Sequence, residues 1–136
     1  GMPLLYGGQE AGLDKRLAFF EKDTIIWDNL ELSNFYKQLF NLKKDNQALW
    51  NGNYGGNIEI ISSRKDSLGF SFIRRKHENK VISIFNLSNK KIELELNSAN
   101  LKGIYNSVFT NDEKIFNENE ILELDPWQFY IYTNKN

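Results

Sequence analysis

The rhythm of apolar and polar positions changes once along this chain, near residue 50. Before that point, the apolar run at residues 3–6 suits a fully buried strand, and Gly7-Gly8 end it. From Gln9 to about Leu32 no period persists. The stretch LAFFEKDTIIWDN sets apolar residues among Glu21, Asp23 and Asp28, as a packed loop does. Residues 33–45 then carry a helical stripe of Phe35, Tyr36, Leu39 and Leu42, with Leu32 one turn earlier. Ser33 is the expected N-cap, because its hydroxyl can accept an orphan N–H of the first turn. Lys43 and Lys44 fall in the last turn, where positive charge complements the helix dipole.

Beyond the turn-rich bridge NGNYGGN the period becomes two. Ile58 and Ile60 alternate with polar neighbours, as do Leu68, Phe70 and Phe72. Residues 81–87 are apolar on both faces, which suits a central strand. Ile92, Leu94 and Leu96 alternate with Glu93 and Glu95, the pattern of a half-buried strand. Further runs lie at 104–109, 114–116, 121–124 and 127–132, separated by turn residues such as Lys65-Asp66-Ser67, His77-Glu78-Asn79 and Thr110-Asn111-Asp112. About eight short strands at this spacing predict an antiparallel Greek-key-type β-sandwich, preceded by one helix, in a mainly β protein.

Composition adds exclusions. The chain has 136 residues, 40% of them hydrophobic and 14% aromatic, enough to bury a core. A formal net charge of -1 gives no electrostatic case for nucleic acid or an anionic membrane. The basic clusters Arg74-Arg75-Lys76 and Lys90-Lys91 are short and flanked by Glu78 and Glu93, as on a solvated face. No apolar run approaches the roughly 20 residues of a membrane span. Cysteine is absent, so disulfides, thiolate metal sites and a cysteine nucleophile are excluded. Cellular compartment is left open.

Most catalytic chemistries fail on their requirements. The single histidine, His77, sits in a hairpin turn rather than beside a nucleophile. One His and no Cys make a zinc site untenable. YGGQEAG lacks the phosphate-loop lysine and the dinucleotide-binding glycine spacing. No calcium-loop spacing is present, and no cofactor is expected. Asn86-Leu87-Ser88 matches a glycosylation sequon, but Asn86 falls inside an expected strand. Glu10, Asp14, Glu21, Asp23 and Asp28 crowd the first segment, although their spacing marks neither a proton donor nor a nucleophile.

The opening segment nevertheless has a family likeness. GMPLLYGGQEAG, followed by LAFFEKDTIIW and FYKQLFNLKKDNQALWNG, resembles the end of the catalytic barrel in the α-amylase superfamily of glycoside hydrolases. Gly1, Pro3, Leu5, Tyr6, Gly8, Gln9 and Glu10 match the family pattern Gly-x-Pro-x-aliphatic-aromatic-x-Gly-(Gln/Glu)-Glu position by position. The resemblance implies that residues 1–50 are a barrel remnant comprising strand eight, its loop and helix eight. Residues 51–136 would be the C-terminal antiparallel sandwich, with LDPWQFYIYTN as its last strand. It also implies an α-glucan such as starch or a maltooligosaccharide as substrate of the parent enzyme.

The family's three catalytic carboxylates lie at the ends of barrel strands four, five and seven. A full barrel takes about 250 residues, so no residue here inherits a catalytic role and this chain is expected to be inactive by itself. Gln9, Glu10, Phe20 and Trp27 are the candidates for substrate contact in an intact enzyme, with Phe19 beside them. Glu10 and Gln9 would reach the barrel rim, and the aromatic rings would wall a sugar cleft. Three roles remain open for the chain. It would be a structural partner of a barrel, a carbohydrate-binding module using Trp50, Tyr54, Tyr105, Trp127, Tyr130 and Tyr132, or an interaction domain that self-associates through residues 1–30. Without neighbouring strands, residues 1–30 are expected to be disordered, to refold onto the sandwich, or to pair with a second copy.

Overall fold

A computed structural model describes residues 2–62 and 67–134. Gly1 of the family pattern, and Lys65 and Asp66 of one expected turn, lie outside the described residues. One helix, α1 (Glu31–Asp45), precedes eight strands: β1 (Ile58–Ile60), β2 (Gly69–Lys76), β3 (Asn79–Asn86), β4 (Ile92–Asn97), β5 (Gly103–Ser107), β6 (Glu113–Phe116), β7 (Asn119–Leu124) and β8 (Phe129–Asn134). All strand pairs are antiparallel. Six strands form one sheet in the order β1-β2-β3-β8-β5-β6, and β4 pairs with β7 in a second. Successive strands therefore cross between sheets, with β8 inserted between β3 and β5. The mainly β sandwich expected from the period-two runs is what forms.

The core lies between the sheets. Strand β4 points Ile92, Leu94 and Leu96 inward and Glu93, Glu95 and Asn97 to solvent, as its alternation predicts. Facing it are Ile73 of β2, Ile82 and Ile84 of β3, and Tyr132 of β8, joined by Tyr105, Phe116 and Leu124. Each such aliphatic side chain, fully withdrawn from water, contributes about 1.5–3 kcal/mol. Strand β3 is buried on both faces because it pairs with β2 and β8 and is covered by the small sheet on one side and α1 on the other.

Asn86 joins the two sheets at one end. Its Nδ2 donates to the carbonyls of Lys90 at 2.7 Å, Asp125 at 2.8 Å and Leu124 at 3.3 Å. Its Oδ1 accepts from the Ser88 N–H at 3.0 Å and the Ser88 hydroxyl at 2.7 Å. The sequon asparagine is thus a buried pin, with no free amide to glycosylate. His77 occupies the β2–β3 turn as expected, with φ of 50°.

Three local expectations are corrected. Residues 3–6 form no strand: the run is apolar enough, but a buried strand also needs ladder partners, and among the described residues it has none. Ser33 is not the N-cap. The helix starts earlier, at Glu31, whose N–H donates to the Asn29 side chain at 3.0 Å. The last strand starts at Phe129 rather than Trp127, because Asp125, Pro126, Trp127 and Gln128 make a turn closed by Gln128 N–H to Asp125 C=O at 3.1 Å. Trp127 is left-handed there, with φ of 60°, a conformation costing an L-residue roughly 1–2 kcal/mol. The Gln128 side chain helps to hold it, accepting from Asp125 N–H at 2.8 Å.

Candidate functional site

The outer face of the six-stranded sheet is apolar, and α1 lies across it. Phe35 of α1 stacks on Phe109 at 5.4 Å between ring centroids and meets Phe129 edge-on at 6.0 Å. Phe129 continues to Phe85, and Phe85 to Phe72, in a row of rings across the strands. The inner stripe of Phe35, Tyr36, Leu39 and Leu42 seats the helix as its period predicts, yet no residue of α1 is fully buried. Its far side is uncovered.

The bridge between helix and sandwich is clasped from both ends. Lys43 Nζ donates to Leu49 C=O at 2.7 Å and to Asn51 Oδ1 at 3.0 Å, while Trp50 Nε1 donates to Lys44 C=O at 3.1 Å. From the sheet, Arg74 donates to Gly56 C=O at 2.9 Å and to Trp50 C=O at 3.0 Å. The backbones approach so closely that a Cβ at Gly55 would stand 1.9 Å from Trp50 O, and one at Gly56 would stand 2.3 Å from Arg75 O. Only glycine fits either position.

Residues 2–5 run along α1 and close one side of an apolar groove of about 460 Å³, which Tyr36, Phe40, Val81 and Ile131 also line. Residues 6–25 fold into a loop held by local contacts. Gly8, with φ of 88°, opens the single helical turn Gln9–Ala11, and Leu13 and Ile25 close over it. Asp23 organises the next stretch. Its carboxylate accepts from Lys15 Nζ at 2.6 Å, Ala18 N–H at 3.0 Å and Thr24 N–H at 2.7 Å. The Lys15 hydrogen bond, then these two amides, lower its pKa from 3.8 to about 2. Residues 1–30 were expected to be disordered, to refold or to pair; the described part is an organised loop beside α1 with much of its apolar surface bare.

Of the four predicted contact residues, Gln9 folds back on its own turn, where its Oε1 accepts from Tyr6 N–H at 3.2 Å. Glu10 is half-buried, and its Oε2 is enclosed without a hydrogen-bond partner. Phe20 is 93% exposed, edge-on to Phe19 at 4.8 Å, and Trp27 is about half exposed. None of the four lines the apolar groove. Gln9 and Glu10 share one turn, whereas Phe20 and Trp27 lie further along the chain.

The six aromatics weighed for a binding module divide. Tyr105 and Tyr132 are in the core, where burial raises both phenols above their ordinary pKa. Tyr130 is half-buried beside Tyr132. This tyrosine face of β8 is covered by the β4–β7 sheet and not by α1, which sits on the Phe129 and Ile131 face. Tyr54 and Trp127 are exposed, and Trp50 is anchored to α1. Among the described residues, no group of three or more His, Cys, Asp or Glu side chains is placed to hold a metal ion.

No protein-family model matches the chain. Individual proteins do. The chain is 24% identical over 127 residues to α-amylase 2 of Dictyoglomus thermophilum, an alignment covering 84% of this chain and 21% of that one. Its fold matches a noncanonic maltogenic α-amylase, AmyB of Thermotoga neapolitana, with TM-score 0.78 and 16% identity over 98% of this chain and 33% of the other. AmyP, crystallised with maltose, matches with TM-score 0.62 and 15% identity over 80% of this chain and 23% of its own. In sequence the chain is similar to an α-amylase, and in fold it is similar to parts of α-amylases. The comparisons agree with the resemblance seen in the opening motif, since both point to the same superfamily of glycoside hydrolases. The chain spans about a fifth of the length of the curated protein it matches.

A second groove was not anticipated from sequence. It lies along another side of the C-terminal half of α1, against β5 and β8, and is lined mainly by amide side chains. Those residues come from α1, β3, β5, β8 and the β5–β6 turn, so no local spacing betrays them.

Proposed function

We propose that this chain is the C-terminal, non-catalytic part of an α-amylase-like glycosidase that acts on α-glucans such as starch and maltooligosaccharides. Residues 51–136 are its sandwich domain, and residues 1–50 are the last strand, loop and helix of its barrel. The observation that carries the reading is a layer left half covered. The sandwich presents an apolar sheet face to α1 and residues 2–5, and the N-terminal segment leaves Leu4, Phe19 and Phe20 bare, at 91%, 83% and 93% exposed. Bare apolar surface of this extent marks an interface. The much longer α-amylase relatives support a catalytic barrel as its partner.

On this reading the chain contributes support. It seats helix eight on the sandwich through Phe35 and the Arg74 clasp, and so fixes the closing edge of the barrel. Residues 3–6 become a strand only when neighbouring strands offer a ladder. Gln9 and Glu10 then reach the rim, where the unpartnered Glu10 Oε2 receives a donor from an adjoining loop. Phe20 and Trp27 are covered by barrel or by sugar. No residue of the chain performs the glycosidic chemistry.

Reading the DNA immediately 5′ of the Met2 codon tests this directly. The expected result is an open frame encoding strand–helix units and three active-site carboxylates. An in-frame stop codon just upstream would overturn the proposal and leave self-association through residues 1–30 as the use of the bare surface.

A further inference from the structure

We propose that the amide-lined groove between α1 and the β5–β8 strands binds a neutral, polyhydroxylated ligand of the oligosaccharide class. The groove has a volume of about 490 Å³. Gln38 and Asn41 form its helical wall, Asn79 and Asn106 lie on the strand side, and Asn111 stands in the β5–β6 turn. Among the described residues, none of these five side chains makes a hydrogen bond or ion pair within the protein.

Other amides are engaged, Asn46 of this same lining among them, whose Oδ1 accepts from Ala48 N–H at 3.0 Å. Asn86 makes five hydrogen bonds, described above. Asn100 accepts from Arg75 at 3.2 Å and donates to Glu59 at 2.8 Å. Asn134, at the groove margin, accepts from Lys80 N–H at 2.7 Å and donates to Glu78 C=O at 2.6 Å. The five amides come to the groove from separate elements with donors and acceptors both available.

The chemistry of the lining selects the ligand. A primary amide offers two donors and an acceptor without charge, and a sugar hydroxyl likewise donates and accepts. Several amides on one concave surface therefore suit the vicinal hydroxyls of a neutral sugar. Asp45 is the one charged residue in the lining. A lone carboxylate repels phosphates and nucleic acid backbones, and it is too few ligands for a metal ion. The strand side is preorganised, because Asn106 sits in the β5–β8 ladder opposite Thr133. No aromatic ring lines the groove, so binding rests on amide bonds made in competition with water, and the expected Kd is millimolar.

The test is a titration of the 15N-labelled 136-residue chain with maltoheptaose, with cellohexaose and with inorganic phosphate, reading the side-chain amide signals. The expected result is saturable shifts at Asn41, Asn106 and Asn111 with a glucan and none with phosphate. Asn41→Ala should weaken binding about fivefold. Its exposed helical position favours alanine, so loss of fold does not confound it. Asn106→Ala serves as a second variant with the same expectation. The choice of an α-glucan probe rests on the proposed enzyme family, whereas the groove does not. Shifts at the groove with cellohexaose alone would uphold the groove and count against the α-glucan reading. Silent amide signals with both glucans, shifts confined to Tyr54 or Trp127, or an equal response to phosphate would each overturn the proposal.

Discussion

Residues 2–30 and residues 58–134 both carry many large apolar side chains, and they dispose of them in opposite ways. In the sandwich, Ile82, Ile84, Leu94 and Leu96 have no accessible surface; in the N-terminal segment, Leu4 and Phe20 are almost bare. Their hydrogen bonds differ as well. The N-terminal loop is held by partners close in sequence, such as Lys15 and Asp23, eight residues apart. The sandwich is held by distant ones, such as Lys80 and Asn134, 54 apart. Local bonds can shape a loop, but burial needs a second layer. The sandwich supplies its own, and the N-terminal segment leaves much of its apolar surface bare.

The largest test of this contrast is a pair of truncations. Leu94→Ala should lower unfolding free energy by about 2–5 kcal/mol, because it opens a cavity between the sheets. Phe20→Ala should change it by less than about 0.5 kcal/mol. Denaturant melts of the two variants measure both, and equal losses would break the comparison. Asn86→Ala comes next, at about 3 kcal/mol, since it strands buried carbonyls of β7 and the β3–β4 turn at 1–3 kcal/mol apiece in rough terms. A loss below about 1 kcal/mol would show that the pin is dispensable.

Gly56→Ala sharpens the boundary between the regions. The added methyl would collide with Arg75 backbone, and relief requires the bridge to lift off β2. Overpacking of this kind costs about 1–3 kcal/mol. Hydrogen exchange should then speed up throughout α1 while β3 and β4 stay protected. Uniform loss of protection would instead mean that helix and sandwich unfold as one unit.

The same contrast explains what could be read from the sequence. Strands β4 and β3 were legible because their side chains report the environment residue by residue: Glu93 and Glu95 against Leu94 and Leu96, and a run apolar on both faces. Helix α1 was legible from the spacing of Phe35, Leu39 and Leu42. Residues 3–6 misled because composition reports a preference for burial, while strand formation depends on partners distant in the chain. Tyr130 and Tyr132 alternate with Phe129 and Ile131 along β8, but which layer covers which face is a property of the whole topology. The turn at Trp127 carried a signal that the strand reading overlooked. Pro126 suits the second position of a turn whose third position is left-handed, although Trp is an improbable occupant of the latter. The motif Gly8-Gln9-Glu10 stood out by its local spacing, whereas the amide groove did not, because its lining comes from α1, the bridge, three strands and the β5–β6 turn.

The smallest expected effect separates the regions by pH. Asp23 is a carboxylate whose folded pKa, about 2, lies below its ordinary 3.8. Its contribution to loop order is therefore fully present above about pH 4 and is lost as pH falls through about 2. Tyr105 and Tyr132 are phenols raised above their ordinary 10.0 by burial. Their contribution to the sandwich is full below pH 10 and is lost as pH rises through the folded values. Acid thus loosens the loop, and alkali loosens the sandwich. The check is an NMR titration that follows the Ala18 and Thr24 amides in acid and the aromatic signals of the core in alkali. Transition of the two amides near pH 2, abolished in Asp23→Asn, is the expected outcome. A midpoint near 3.8 would mean that the Lys15 and backbone contacts do not hold Asp23 in solution, and that the loop owes its shape to Leu13 and Ile25 closing over Gly8.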